Sequence, residues 1–94
     1  MIVGFKSDET KRIFDGFRSR QYPAEIQRIA LRKLLLIDAA TSVSDLRVPP
    51  GNRLEKLAGN RQGQYSIRIN DQWRICFVWT NENNADRVEI VDYH

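Results

Sequence analysis

The fold is decided by one stretch of the sequence, YSIRINDQWRICFVW, which spans residues 65–79. On both sides of the polar segment at residues 70–72, apolar side chains occupy every second position. Successive side chains of a β-strand point to opposite faces, so an alternation with a period of two predicts a half-buried strand. The stretch therefore predicts an antiparallel hairpin of two strands joined by a short turn.

The length of this turn determines which residues pair across the hairpin. A two-residue turn would place Arg68 opposite Trp73 and would mix the polar and apolar faces, so the pattern favours a three-residue turn at residues 70–72. With that turn, Arg68 lies opposite Arg74. Two like charges in directly opposed positions are unfavourable. Their pairing is therefore a sign of an anion site, and a solvated open sheet face explains the two arginines equally well.

The part of the chain before the hairpin predicts a short strand at residues 2–5 and then two helices. The first helix has Ser7 or Asp8 as its cap, and its apolar stripe at helical spacing is Ile13, Phe14 and Phe17. The second helix begins at Pro23, and its apolar residues recur every three or four positions: Ile26, Ile29, Ala30, Leu34, Ile37 and Ala40. These helices are expected to cover the apolar side of the hairpin, where the core aromatic residues are Tyr65, Trp73, Phe77 and Trp79.

The remaining segments complete a small domain. Polar residues 41–47 predict a short helical turn, residues 53–57 a short strand, and residues 59–63 a loop with two glycines. The apolar run before the C-terminus predicts a last strand at residues 87–93. The expected fold class is therefore α+β, with two N-terminal helices packed on one face of a small, mainly antiparallel, twisted sheet. We expect a single domain that spans residues 1–94.

Length and composition limit the class of protein. With 94 residues, 41% of them apolar and 29% charged, the chain can form one small domain with a hydrophobic core. The single cysteine, Cys76, allows no internal disulfide, and nothing marks it as a nucleophile. No apolar stretch approaches the roughly 18 residues that span a membrane, and the N-terminus lacks the basic segment of a signal peptide. We therefore expect a cytoplasmic protein that makes no membrane contact.

The charged residues are distributed unevenly along the chain. The formal net charge is +3, but the residues after position 80 include four acidic side chains and only one basic side chain, Arg87. The rest of the chain is therefore more basic than the total indicates, and a basic body predicts a polyanionic partner. A solvated charged surface explains the same charge equally well, so the charge alone does not assign a function.

Four segments of the sequence together resemble a known family. They are NRLEKL at residues 52–57, GNR at 59–61, YSIRINDQWRI at 65–75 and VEIVDYH at 88–94. In its length, its order of elements and these motifs, the chain resembles the HigB-type toxins of the RelE/ParE superfamily of bacterial toxin–antitoxin systems. The resemblance implies the RelE-like fold, a small twisted sheet with two helices on one face and a basic concave face opposite.

The same resemblance implies a metal-independent endoribonuclease that cuts messenger RNA in the decoding site of the ribosome. A helix-turn-helix antitoxin of the HigA type is the expected partner, and operator DNA would be contacted only through that antitoxin. Cleavage without a metal ion requires a base for the 2′-hydroxyl, an acid for the departing 5′-oxygen and fixed cations for the charge on phosphorus. No His/Cys cluster or compact carboxylate triad in the sequence predicts a metal site, and no cofactor is expected.

The catalytic residues implied by the resemblance lie in two parts of the chain. The Asp, Tyr and His of the C-terminal motif belong to the active site in HigB-type toxins, and here they are Asp92, Tyr93 and His94. Some HigB toxins have a catalytic histidine in the segment before the glycine loop, where this chain has Glu55. The YoeB branch of the superfamily has a glutamate there, which works with two sheet arginines and a near-terminal histidine. By position, the matching set in this chain is Glu55, Arg68, Arg74 and His94.

The sequence leaves the roles of these groups open. Either Glu55 or His94 can be the base with the other as the acid, and Tyr93 is expected to stack on or orient the reacting nucleotide. The basic residues of this region expected to contact RNA or the ribosome are Arg53, Lys56 and Arg61. Two alternatives use the same fold without this chemistry: a ParE-type toxin that poisons DNA gyrase by binding, and a non-enzymatic factor that binds nucleic acid or the ribosome. The terminal Asp-Tyr-His motif argues against the ParE type, which lacks it.

Overall fold

The hairpin of residues 65–79 forms the centre of a four-stranded sheet. The computed structural model describes residues 1–93, and the four strands pair antiparallel in sequence order. They are β1 (Glu55–Lys56), β2 (Gln64–Arg68), β3 (Trp73–Trp79) and β4 (Ala85–Asp92). Arg68 pairs with Arg74 across the hairpin, which confirms the register expected from a three-residue turn.

Asn70 closes the turn between β2 and β3. Its side-chain oxygen accepts hydrogen bonds from the backbone N–H groups of Gln72 and Trp73, at 2.9 and 2.8 Å. The backbone N–H of Ile69 bonds to the carbonyl of Trp73 at 2.9 Å. Asparagine side chains commonly bond to backbone groups two residues further on, which favours them in turns. The local sequence therefore holds the register that places the two arginines side by side.

Two helices pack against the apolar face of the sheet. They are α1 (Asp8–Phe14) and α2 (Ala24–Ala39). Ser7 caps α1, since its hydroxyl accepts a hydrogen bond from the N–H of Thr10, and Pro23 precedes the first residue of α2. The buried core includes Ile26, Ala30, Leu34, Ile37, Ile67, Ile75, Phe77 and Val88. This arrangement confirms the α+β class, and no helix within residues 1–93 is long and apolar enough to cross a lipid bilayer.

The end of α1 differs from the expectation. The helix ends at Phe14, so Phe17 is not part of a buried stripe and is 61% exposed. The chain turns away at Gly16, whose φ of +90° is a left-handed conformation that glycine adopts readily. The expected apolar stripe was therefore wrong at Phe17, because the glycine ends the helix before that residue can reach the core.

The N-terminal segment and the last strand also differ from the expectation. Residues 2–5 form two isolated parallel bridges to β4 rather than a continuous strand. The last strand begins at Ala85, before the expected start at position 87. The pairing of β3 with β4 contains a register shift, and Arg87 has a φ of +53°. This irregularity interrupts the alternation that would have marked the start of the strand.

The connection between α2 and the sheet consists of short 3₁₀ turns. They cover Val43–Arg47, which confirms the helical turn expected there, and Pro50–Asn52. Another turn, Gly59–Arg61, lies between β1 and β2. The strand expected at residues 53–57 is limited to the two residues of β1. Of the aromatic residues expected in the core, Phe77 is fully buried. The others are partly buried and pack against the core: Tyr65, Trp73 and Trp79.

Candidate active site

Arg74 is at the centre of the candidate site. It lies on β3, on the sheet face opposite the helices, and is only 8% exposed. Its Nε donates a hydrogen bond to the hydroxyl of Ser66 at 2.8 Å, and its Nη2 donates to the carbonyl of Arg53 at 2.6 Å. Its Nη1 is 3.5 Å from a carboxylate oxygen of Glu55. The protein therefore holds this guanidinium in one orientation, with a carboxylate beside it.

The register of the sheet explains why these groups meet. Glu55 on β1 pairs with Ser66 on β2, and Arg68, further along β2, pairs with Arg74. The Arg74 side chain extends over the fully buried Ser66 and so reaches the edge strand β1. Arg53 precedes β1 in a left-handed conformation, with a φ of +45°. A short edge strand and the segment before it thus bring a carboxylate and a carbonyl to the same guanidinium.

Tyr93 packs against Arg74. The guanidinium carbon lies 5.8 Å from the centroid of the phenol ring, within the range of a cation–π contact. The backbone N–H of Tyr93 donates a hydrogen bond of 2.5 Å to the carbonyl of Gln72, the residue before β3. This bond extends the pairing of β4 with β3 by one residue. The residue is nevertheless 37% exposed. An aromatic ring that is partly exposed beside a buried cation suits stacking on a nucleobase next to a bound phosphate.

Arg68 has a more open environment than Arg74. Its side chain is 32% exposed, and its Nη2 lies 2.5 Å from Asp71, whose side chain is 100% exposed. The hydrogen bond from Arg68 is the main cause that lowers the pKa of Asp71 below its ordinary value. An exposed ion pair of this kind contributes little to stability. A phosphate can therefore replace Asp71 as the partner of Arg68 with little loss of folding free energy.

The other basic residues expected to contact RNA fall into two groups. Arg53 and Lys56 are exposed at the edge of the sheet. Arg61 is partly buried and donates hydrogen bonds to Glu89 at 3.1 Å and to Gln64 at 3.2 Å. Arg61 must therefore give up its bonds to Glu89 and Gln64 before it can contact RNA. Arg53 and Lys56 are exposed and can contact RNA without breaking these bonds.

Two residues of the C-terminal motif, Asp92 and Tyr93, are described, and both line a shallow depression with Arg61 and Val91. Tyr93 lies with the guanidinium on the open face of the sheet, whereas Asp92 pairs with Trp73, on the side that faces the helices. The side chain of Gln72 donates hydrogen bonds to both carboxylate oxygens of Asp92, at 3.2 and 3.3 Å. Asp92 is therefore at the end of β4, next to Tyr93 but directed to the other face of the strand. His94 lies outside the described residues, so its part in the site stays a prediction from the sequence.

In the described part of the chain, neither a reactive thiol nor a set of metal ligands accompanies Arg74. Cys76 is fully buried, and burial raises the pKa of its thiol, which disfavours the thiolate that a nucleophile requires. No group of three or more His, Cys, Asp or Glu side chains within residues 1–93 is placed to hold a metal ion. The chemistry that the described groups can supply is that of guanidinium, carboxylate and phenol.

Two contributions to the site were not expected from the sequence. Ser66 lies within the stretch that identified the hairpin, but its role as the acceptor for Nε of Arg74 was missed. Arg53 was expected as an RNA contact, and the structure adds that its backbone carbonyl holds the same guanidinium. Strand alternation indicates that Ser66 and Arg74 share a face, yet it does not show across which neighbours a long side chain extends. That direction depends on the packing of the edge strand.

Comparisons with known proteins identify the family. The family described as "RelE-like toxin of type II toxin-antitoxin system HigB" matches residues 3–94. Toxin HigB-1 of Vibrio cholerae serotype O1 is 44% identical to this chain over 82 residues, which is 86% of each sequence. Endoribonuclease HigB of Proteus vulgaris is 35% identical over 95 residues, which covers 100% of both sequences.

A solved structure has the same fold. The YoeB-YefM complex from Staphylococcus aureus contains a chain that matches this one with a TM-score of 0.61, over 100% of this chain and 98% of that chain. At 21% sequence identity, this likeness shows the fold alone. The family match and the two HigB relatives extend over most of the sequence. The chain therefore belongs to the HigB family of RelE-like toxins of type II toxin–antitoxin systems.

Proposed function

We propose that this toxin is an endoribonuclease that cleaves messenger RNA on the ribosome without a metal ion, and that it inhibits translation in the cytoplasm. The supporting observation is the cluster of Arg74, Glu55 and Tyr93, which combines a buried cation, a carboxylate and an aromatic ring on one open sheet face. The Proteus vulgaris relative is named an endoribonuclease. These groups are the kinds that metal-independent phosphodiester cleavage requires.

The arginines and the glutamate have distinct roles in this proposal. Arg74 and Arg68 hold the scissile phosphate and stabilise the negative charge that develops on it. Glu55 is exposed and lies 3.5 Å from Arg74, so it is close to any 2′-hydroxyl next to a phosphate bound there. Glu55 takes the proton from the 2′-hydroxyl, whose oxygen attacks phosphorus. The bond to the 5′-oxygen of the next nucleotide breaks, which leaves a 2′,3′-cyclic phosphate.

The C-terminal motif supplies the remaining functions. His94 donates the proton to the departing 5′-oxygen, because an unperturbed histidine pKa of about 6.5 suits proton transfer near neutral pH. The roles of Glu55 and His94 can be exchanged without changing the other assignments. Tyr93 stacks on the reacting nucleotide. Asp92, the acidic residue of the same motif, favours the cationic form of His94 that donates this proton.

The chemistry can be tested by the products of cleavage. Purified toxin is mixed with programmed ribosomes that carry a labelled message, and separately with the same RNA alone. We expect cleavage only on the ribosome, a 2′,3′-cyclic phosphate at the new end, and no cleavage of a message with a 2′-deoxynucleotide at the cut site. Arg74→Ala should slow single-turnover cleavage by about 10²-fold or more. The matched control is Arg47→Ala, which removes an exposed arginine from the connection before β1.

Other outcomes would contradict the proposal. Cleavage of the deoxy-substituted message would exclude attack by the 2′-hydroxyl. An Arg74→Ala rate within a few-fold of wild type would remove Arg74 from the active site. Growth arrest without any RNA cleavage would favour a toxin that acts by binding, such as a gyrase poison.

Deletion of His94 tests the terminal motif. We expect the truncated protein to lose cleavage while its melting temperature and its binding to ribosomes change little, because a terminal residue contributes little to the core. Single-turnover cleavage, thermal unfolding and ribosome co-sedimentation measure the three properties. Wild-type cleavage by the truncated protein would show that His94 takes no part in the reaction.

We infer that a helix-turn-helix antitoxin of the HigA type neutralises the toxin by binding its helix side. Phe17 is 61% exposed there, and the guanidinium carbon of Arg12 lies 5.5 Å from the centroid of its ring. Arg18 and Arg28 line the same depression between the end of α1 and α2. These four residues are called the helix-side surface below. An exposed aromatic ring surrounded by arginines fits an acidic amphipathic helix, and operator DNA would be bound by the antitoxin alone.

A further inference from the structure

A buried lysine and a buried asparagine join α2 to the connection that precedes β1. Lys33 is 8% exposed and Asn52 is fully buried. The Nζ of Lys33 donates a hydrogen bond to Oδ1 of Asn52. Neither residue has a role in the proposed reaction or in binding the antitoxin. Burying an ammonium group costs free energy unless it is well paired, so a lysine at this position needs an explanation.

Asn52 uses its backbone and side chain to fold the connection. Its Nδ2 donates hydrogen bonds to the carbonyls of Leu46 at 3.1 Å and Val48 at 3.2 Å, and its backbone N–H donates to the carbonyl of Pro49 at 2.9 Å. Since Nδ2 faces these carbonyls, the amide oxygen faces the opposite way and requires a donor. Lys33 supplies that donor. The pair therefore attaches the connection to α2 in one orientation, which an apolar contact would not specify.

The attached segment leads directly to the candidate site. Arg53 follows Asn52, and its carbonyl accepts the hydrogen bond of 2.6 Å from Nη2 of Arg74. Glu55 lies two residues after Arg53, at the start of β1, and its carboxylate is 3.5 Å from the same guanidinium. A displacement of Asn52 would therefore move both the carbonyl that orients Arg74 and the carboxylate beside it.

The electrostatic environment of Lys33 argues that its role is not simply to stabilise the fold. Burial is the main cause that lowers its pKa below the ordinary value, and the positive charges of Arg32 and Arg68 lower it further. The described hydrogen bond of Nζ goes to a neutral amide rather than to a carboxylate. Replacement of a whole buried polar pair by apolar residues of similar volume is often neutral or stabilising, so a buried ammonium that bonds to a neutral amide is not needed for stability alone. A lysine here is better explained by what it positions.

We propose that Lys33 and Asn52 are positioning residues that hold the Arg53 carbonyl and Glu55 in register with Arg74. The effect on cleavage rests on the proposed nuclease function, whereas the effect on Arg74 itself does not. A misplacement of about 1 Å at a catalytic group can cost about 10²-fold in rate. Loss of the pair should therefore slow the chemical step while binding to the ribosome is retained.

Single-turnover kinetics with programmed ribosomes test the first effect. Lys33→Met removes the donor and keeps a similar volume, Asn52→Leu removes the amide, and Lys33→Gln restores an N–H donor. The matched control is Arg32→Met, which removes the exposed cation next to Lys33. We expect cleavage at saturation to fall by about tenfold or more in the first two variants, with half-saturation unchanged. Lys33→Gln should recover most of the rate, and the control should cleave like wild type.

The NMR signal of Arg74 Nε–H gives a second reading that does not require cleavage. In the wild-type protein this N–H is buried and bonded to Ser66, so we expect slow exchange with water. Exchange should become faster in Lys33→Met, measured well below its melting temperature, and should stay slow in Arg32→Met. Lys33→Leu, which also removes the donor, replaces Lys33→Met in both experiments if the latter does not fold.

Two results would overturn the positioning role. One is an Arg74 signal in the folded Lys33→Met protein that is identical to that of wild type. The other is a loss of cleavage that follows only the folded fraction of each variant, because that result describes a structural residue. If the wild-type protein does not cleave RNA at all, the proposed function fails. The exchange of the Arg74 Nε–H then tests by itself whether Lys33 and Asn52 position Arg74.

Discussion

Arg74 is a buried residue whose guanidinium reaches an exposed group at one edge. A guanidinium has five N–H donors in a planar fork. Here Nε and Nη2 are directed to Ser66 and to the carbonyl of Arg53, whereas Nη1 faces the exposed carboxylate of Glu55. The protein thus supplies buried partners for one edge of the fork, and in the proposed reaction a phosphate binds at the other edge, toward Glu55. A phosphate at that edge would lie beside the carboxylate, as a base acting on the adjacent 2′-hydroxyl requires.

Substitution of Arg74 by Lys should therefore be as damaging as its removal. Lysine keeps the charge, but its ammonium group cannot bond to Ser66, to the Arg53 carbonyl and to a phosphate in one fixed plane. We expect single-turnover cleavage of ribosome-bound message to fall by about 10²-fold or more, although the net charge is unchanged. A thermal unfolding curve for the same variant separates this effect from a loss of fold. A lysine variant that cleaves like wild type would show that charge alone suffices.

At the scale of elements, the hairpin was predictable because its signal is local. The alternation of Ile67 and Ile69 with Arg68, and the asparagine at the turn, lie within one short stretch and determine the register together. The two helices have equally local signals in their caps and their apolar spacing. The family resemblance, rather than a local pattern, predicted that Glu55 lies near the arginines. In the structure its carboxylate is 3.5 Å from Nη1 of Arg74.

Features that depend on contacts between distant segments were not predictable from these patterns. The parallel bridges of residues 2–5 involve β4, which lies at the other end of the sequence. The hydrogen bond between Lys33 and Asn52 joins a helix to a 3₁₀ turn, and a lysine in an amphipathic helix is normally interpreted as exposed. Alternation assigns a side chain to a face, but only the packed structure shows which group it meets there.

The Asn70 turn can be tested as an element. Asn70→Ala removes the acceptor of two backbone hydrogen bonds, at 2.9 and 2.8 Å, and should lower the free energy of unfolding by about 1 kcal/mol. Urea denaturation measures this change. Asn81→Ala, at an exposed position of the β3–β4 turn, is the control and should have little effect. Equal stabilities of the two variants would show that backbone pairing holds the hairpin without the side chain.

At the scale of the whole molecule, Lys33 should make stability depend on alkaline pH. Its pKa is lowered in the folded protein, mainly by burial, and returns to about 10.4 on unfolding. Between those two pKa values the unfolded state binds more protons, so the free energy of unfolding rises with pH. In urea titrations, wild type should therefore gain stability relative to Lys33→Met as the pH rises toward about 10.4, the pKa of lysine in the unfolded chain. A difference between the two proteins that is constant over this range would contradict the lowered pKa.

Two groups of arginines lie on opposite sides of the sheet. Arg68 and Arg74 are on the open face of the sheet, and the arginines of the helix-side surface belong to the layer that covers the other face. Among the acidic residues near the C-terminus, Glu89 pairs with both Arg61 and Lys6. The division into two surfaces allows one to act on RNA while the other binds a protein partner.

The two surfaces should be separable by mutation. Phe17→Ala combined with Arg28→Glu removes the exposed ring and reverses one charge of the helix-side surface, without touching the Arg74 cluster. Because exposed aromatic and arginine residues often dominate interfaces, we expect this variant to bind the antitoxin at least about tenfold more weakly and to cleave message like wild type. Arg74→Ala should show the reverse. The partner to test is a helix-turn-helix protein encoded by the neighbouring reading frame, with calorimetry for binding. A Phe17/Arg28 variant that loses cleavage but still binds this protein would assign the surface to the ribosome instead.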